Sequence, residues 1–339
     1  MSSGSHIVRV PIELLLIITE FLPRPADLNC LARTNRQFYQ VLNSSLYKQN
    51  VTEHENGQSE GSALFWAAKN GQAGAAKKSL AEGANIQGCS RERETPLLWA
   101  AQYGHNAVIE VLLADDGVDP NWSNRWGETP LAVVASRGNT EAVQLLLAVK
   151  NISPDLENVR RETPLCLAAC FGHENIVEAL LATKEVEVDH RNWRDETPLC
   201  LAARNGHQAT VRLLLASKRV NPQHKASTEE TPLSLAAAGG HIEVLHLLLT
   251  THEIETSPRN YWGETPLSLA ADGGHSAVVK LLLATDGVEP YTQNITGDTP
   301  LSLAEWNGHA TVVRLLRDAR SVDSRFLDSS ELTPLALPE

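Results

Sequence analysis

The side chains that most often carry out chemistry recur in this chain at a fixed interval. His105, His173, His207, His241, His275 and His309 each follow a glycine, with neighbouring copies one or two 34-residue steps apart. A general base needs a partner of its own to set its protonation state, whereas six equivalent histidines share one kind of surrounding. They read as a structural series in which each ring bonds backbone at the turn between two helices. The five thiols are Cys30, Cys89, Cys166, Cys170 and Cys200, with no C-x-x-C pair and no Cys/His spacing that suits zinc. Cys166 and Cys170 lie one helical turn apart, and Cys200 repeats the place of Cys166 in the next copy. No acid or base is matched to them, so they read as small core or concave-face residues. A phosphate-cradling glycine loop and a nucleophile elbow are also missing from the sequence. The residues therefore predict no enzyme, no cofactor and no metal.

What positions these side chains is the tripeptide Thr-Pro-Leu, which begins at Thr95, Thr129, Thr163, Thr197, Thr231, Thr265, Thr299 and Thr333. A fixed period of this size means stacked supersecondary units, because one unit cannot bury its own apolar face without neighbours. In the copy from Asn260 to Gln293, Thr265 is placed to cap a helix and Pro266 to open it. Leu267, Leu269, Ala270 and Ala271 give that helix a small-residue inner face. Gly274 ends it and His275 leads into a second helix with the apolar stripe Val278, Val279, Leu281, Leu282 and Leu283. An acidic residue precedes the first seven Thr-Pro-Leu copies: Glu94, Glu128, Glu162, Glu196, Glu230, Glu264 and Asp298. It either attracts a basic partner or helps the helix start through its dipole, and its uniformity favours the second role.

The Thr-Pro-Leu, the paired alanines, Gly-His and the run of leucines together resemble the ankyrin repeat, over residues 57–339. The resemblance implies an all-α solenoid of about eight units, at 57–89, 90–123, 124–157, 158–191, 192–225, 226–259, 260–293 and 294–327, with a truncated ninth at 328–339. The fourth place of the family's Thr-Pro-Leu-His motif instead carries Leu98, Ala132, Cys166, Cys200, Ser234, Ser268 and Ser302. In such arrays the turn tips and the inner face of the first helix form the concave surface. The units differ most there, and Arg91, Tyr103, Arg125, Trp126, Arg137, Arg160, Phe171, Trp193, Arg194 and Arg204 cluster on the second to fifth. Arginine and aromatic residues are the types enriched at binding hot spots. They predict a groove for a peptide with acidic or phosphorylated and apolar side chains. The competing expectation is that each tryptophan packs on the neighbouring turn and each arginine answers the acidic series. A small-molecule or enzymatic site using Cys170, Arg137 or Arg204 is a third, weaker alternative.

Residues 1–9 are polar and expected to be disordered, and 51–60 read as a linker or first turn. Between them, 10–50 predict three short helices. The first is apolar around most of its girth, and two small partners cannot cover it. The pattern Val10-Pro11-x-Glu13-Leu14-Leu15-x-x-Ile18-x-x-x-Leu22, followed by Asp27-Leu28-x-x-Leu31-x-x-Thr34-x-Arg36-x-Phe38, resembles an F-box. That resemblance implies docking of Pro11, Ile12, Leu14, Leu15, Ile18, Leu22, Asp27, Leu28 and Leu31 on a Skp-type adaptor of a cullin-based ubiquitin ligase. The alternative is a helical cap on the first repeat.

The net charge of −12 opposes binding to nucleic acid or to an anionic membrane. The longest apolar run, Leu14 to Leu22, is too short to span a bilayer and carries Glu20. The expected protein is cytoplasmic or nuclear, monomeric by itself, and a non-catalytic adaptor that holds a target protein for ubiquitin transfer. A plain ankyrin scaffold is the alternative.

Overall fold

The computed structural model describes residues 62–251 and 254–319. The expected tail at 1–9, the F-box-like segment 10–50 with its adaptor-docking positions, the linker 51–60 and the partial unit 328–339 lie outside the described residues. Among the described residues every regular element is a helix, and the helices come in consecutive pairs. The pairs are α1 (Ala63–Asn70) with α2 (Ala73–Ala81), α3 (Pro96–Tyr103) with α4 (Asn106–Leu113), α5 (Pro130–Arg137) with α6 (Thr140–Leu147), and α7 (Pro164–Phe171) with α8 (Glu174–Ala182). They continue as α9 (Pro198–Arg204) with α10 (Gln208–Ala216), α11 (Pro232–Ala238) with α12 (Ile242–Leu249), and α13 (Pro266–Asp272) with α14 (Ser276–Leu283). Last come α15 (Pro300–Trp306) and α16, which covers the described residues 310–319.

Each first helix starts for the reason its sequence suggests. Thr163 Oγ1 accepts the Cys166 N–H and Thr197 Oγ1 the Cys200 N–H, both at 3.4 Å, while the proline at the first helical position has no N–H to leave unpaired. In α13 and α15 the cap is reciprocal, because Ser268 and Ser302 accept the N–H of Thr265 and Thr299. Termination is a backbone matter: Gly172 takes φ 71°, a left-handed conformation that glycine adopts without a Cβ penalty.

The described residues fall into two compact units, one within Met1–Val134 and Glu141–Ser153, the other within Ala135–Thr140 and Pro154–Glu339. In the first, α3 packs on α1 and α4 on α2 around Leu64, Phe65, Leu97, Ile109 and Leu112, all essentially fully buried. In the second, α7, α9, α11, α13 and α15 lie side by side in one row, and α8, α10, α12 and α14 in another. Ala168, Ala169, Ala202, Ala203, Ala236, Ala237, Ala270 and Ala271 are buried along the first row, where small side chains permit the helices to approach closely. The stripes Ile176–Val177–Leu180, Val211–Leu214, Val244–Leu245–Leu248 and Val278–Val279–Leu282 fill the second row. Burial of each helix therefore depends on the next, as a repeat array requires.

Candidate functional site

The turns that lead into the first helices are built alike. In the second unit, Asn158 N–H donates to the Glu162 carbonyl at 3.1 Å and Arg161 N–H to the Asn158 carbonyl at 2.8 Å. The Asn158 side chain closes the same turn. Its Oδ1 accepts from Arg160 N and Glu162 N, and its Nδ2 donates to Glu162 Oε2 at 3.0 Å. Asn192 with Glu196 and Asn260 with Glu264 repeat this arrangement, and Asn124 with Glu128 does so in the first unit. Glu128, Glu162, Glu196 and Glu264 thus also serve the turn through a carboxylate–amide bond, while Glu230 and Asp298 accept from the Thr228 and Thr296 hydroxyls. A turn of this kind needs a left-handed residue just before the acid. Gly263 and Gly297 supply it at φ 74° and 85°, whereas Arg161, Asp195 and Glu229 hold it at φ 55–61° despite their Cβ atoms.

Neighbouring turns are also tied to one another. Within the second unit Trp193 N–H donates to the Arg160 carbonyl, Ser227 to Arg194, Tyr261 to Thr228 and Ile295 to Trp262, at 2.9–3.0 Å. These bonds fix the turns as one row and turn two side chains per turn outward. The outward residues are Val159 and Arg160, Trp193 and Arg194, Ser227 with the half-buried Thr228, Tyr261 and Trp262, and Ile295 and Thr296.

The structure brings the predicted arginines and aromatics together in different ways. In the first unit Arg91, Tyr103, Arg125 and Trp126 are exposed. Arg125 is ion-paired with Glu92 and its guanidinium lies 5.6 Å from the Trp126 ring centre. Tyr103 stacks on His105 with ring centres 6.2 Å apart, leaving half its surface open. In the second unit Phe171 stacks likewise on His173, and the Arg194 guanidinium lies 4.6 Å from the ring of Trp193, which is 56% exposed. Arg137, Arg160 and Arg194 make no ion pair among the described residues. Arg204 differs from its expected place on an open groove. Its guanidinium is ion-paired with the buried Glu196 and lies 3.8 Å from Glu230, because the carboxylate at the helix start needs a cation once it is desolvated. The acidic series therefore holds the charge of Arg204, whereas Arg125 is held by Glu92, outside that series.

The histidines reach further than the turn they begin. His207 Nε2–H donates to the Cys170 carbonyl at 2.9 Å, His241 to Arg204, His275 to Ala238 and His309 to Asp272, each at the end of the preceding unit's first helix. Each ring thus satisfies a helix-end carbonyl one unit away. Burial pushes the thiols of Cys166 and Cys200 up to about 11, so neither forms a nucleophilic thiolate at neutral pH. Cys170 is raised as well, again by burial, and its sulfur accepts from Asn205 Nδ2. Among the described residues no group of three or more His, Cys, Asp or Glu could hold a metal ion. Nor is any described helix long and apolar enough to cross a membrane.

Two features escaped the reading of the sequence. The asparagine clip was visible as a residue repeating every 34 positions, but its bond to the acid is a tertiary detail. The other is exposure: Tyr261 is 71% exposed and Ile295 69%, more than the aromatic residues singled out in advance. A family model described as ankyrin repeats (3 copies) matches residues 30–124, 116–192, 182–260 and 252–326. No curated protein matches the chain. With the period, the paired helices and this match spanning most of its length, the chain belongs to the ankyrin-repeat family.

Proposed function

We propose that this interaction scaffold holds a target protein on the outward residues of its turns and first helices, and presents it to a ubiquitin ligase bound through residues 10–50. The observation that carries the first half is the exposed Phe171 and Trp193 beside Arg137, Arg160 and Arg194, which lack carboxylate partners among the described residues in a chain of net charge −12. Such a surface suits a segment with carboxylate or phosphate groups next to apolar side chains, in the cytoplasm or nucleus. The second half rests on the F-box-like pattern, whose apolar positions would seat on a Skp-type adaptor carried by a cullin.

Purified full chain mixed with a Skp-type adaptor should co-elute as a complex, and deletion of residues 10–50 should abolish it. An adaptor that ignores the full chain, or binds equally after the deletion, removes the ligase role. One observation favours a second reading, a plain ankyrin scaffold with no ligase. The family-model match begins at residue 30, inside the F-box-like segment, as it would if those residues opened the repeat array.

A further inference from the structure

The row of turns in the second unit changes character along its length. From Val159 to Asp195 it carries Arg160, Arg161, Arg191 and Arg194. From Ala226 to Ala310 the sequence has two Lys or Arg residues, Arg259 and Lys280. Arg259 lies 3.7 Å from Glu289, and Lys280 belongs to α14, in the other row of helices. The outward residues of this later stretch are apolar instead. Tyr261 and Trp262 meet edge to face with ring centres 5.9 Å apart, and Ile295 follows on the next turn, tied to Trp262 by its N–H. Glu264 and Asp298 close the two turns that carry these residues, and Asp272 ends α13. Glu264 accepts from the Asn260 amide, Asp272 from the Asn307 amide and Asp298 from the Thr296 hydroxyl. None of the three makes an ion pair among the described residues. Trp306, which ends α15 one unit after Asp272, is 88% exposed.

Exposed aromatic faces next to carboxylates without cations complement a positive charge carried on an apolar stem. The carboxylates attract it, the ring faces add a cation–π contribution, and the aliphatic part of lysine or arginine covers the rings. We propose that Tyr261, Trp262 and Ile295, with Glu264, Asp272 and Asp298, form a second docking surface, which takes an extended protein segment bearing lysine or arginine beside an apolar residue. It shares the row of turns with the arginine-bearing surface but has the opposite charge preference. Ser227 and Thr228 separate the two, so a partner lying along the whole row runs from an acidic to a basic stretch.

The test is a titration of the full chain with two labelled peptides, one of lysine, leucine and glycine, the other with glutamate in place of lysine. The lysine peptide should bind, weaken with added salt, and lose at least about tenfold in affinity in Trp262→Ala and in the Asp272→Asn/Asp298→Asn pair. Trp193→Ala should leave it unchanged. No binding, or equal binding to all variants, overturns the proposal. The glutamate peptide reports separately on the arginine-bearing surface and should weaken in Arg160→Ala/Arg194→Ala. If it behaves so while the lysine peptide fails, only the second docking surface falls.

Discussion

Gly172→Ala is expected to destabilise the second unit by about 3 kcal/mol, and the equivalent Gly206→Ala by as much. Two costs combine. Gly172 sits at φ 71°, where an alanine costs about 1–2 kcal/mol. The added Cβ would also stand 2.4 Å from His207 Nδ1, within a ring whose other nitrogen bonds the Cys170 carbonyl. Overpacking of that kind costs about 1–3 kcal/mol, since the ring must leave its bond to make room. His207→Ala alone should cost about 1 kcal/mol, the worth of a hydrogen bond. In the double variant the clash is gone, so the loss should be clearly smaller than the sum of the two single losses. Gly74→Ala gives the opposite sign. That glycine is exposed in α2, its Cβ would meet nothing within 4 Å, and about 0.5 kcal/mol of stabilisation is expected from helix propensity. Urea unfolding of the four variants measures all of this. An unchanged midpoint for Gly172→Ala would remove the inter-unit histidine as a spacing constraint.

The second large effect concerns the loops after the second helices. In the first unit Asn121 bridges its neighbour loop with both amide atoms, Oδ1 accepting from Ser153 N at 2.8 Å and Nδ2 donating to the Asn151 carbonyl at 2.7 Å. In the second unit the same places hold Asp155 and Asp189. Each accepts with Oδ2, from Glu187 N at 2.8 Å and Asn221 N at 2.7 Å, while Oδ1 is buried with no donor. Burial raises both carboxyl groups above 3.8, against the lowering by those N–H groups and by His190 or His224 nearby. Asp155→Asn and Asp189→Asn supply the missing donor, toward the carbonyls of Glu185 and Arg219 that correspond to Asn151. Each should stabilise by about 1 kcal/mol at neutral pH, and the pair by about 2. The sign with pH follows from linkage. A carboxyl with a raised folded pKa binds its proton more tightly in the folded chain, so its contribution is most favourable in acid. That contribution is lost as pH rises from 3.8 through the raised folded value. The advantage of the asparagine variants should therefore grow from acid to neutral pH. A difference that stays constant with pH would show that neither carboxyl titrates abnormally.

Much of the fold was legible because the signals are local. Thr-Pro caps, Gly-His breaks and leucine stripes each act within a few residues, and the 34-residue period then places every pair of helices. What stayed hidden depends on neighbours in space. The bond between Asn158 and Glu162, repeated at three other turns, gives those acids a role in the turn, and Arg204 turns to Glu196 because that carboxylate is buried. Neither fact is present in the residue types. The arginine and aromatic set was legible as composition, but the structure divides it into residues held by carboxylates and residues without them. The strong exposure of Tyr261 and Ile295 likewise comes from where the turns end.

We propose above all that partners are gripped by the outward residues of the turns. The direct measurement is quantitative mass spectrometry of proteins that co-purify with the full chain, with Trp193→Ala, with Tyr261→Ala/Trp262→Ala, and with Lys280→Ala on α14 as the control. Partners should fall away from the first two variants, while helix content and the control's partner set stay as in the parent chain. An identical partner set in all four would contradict the account.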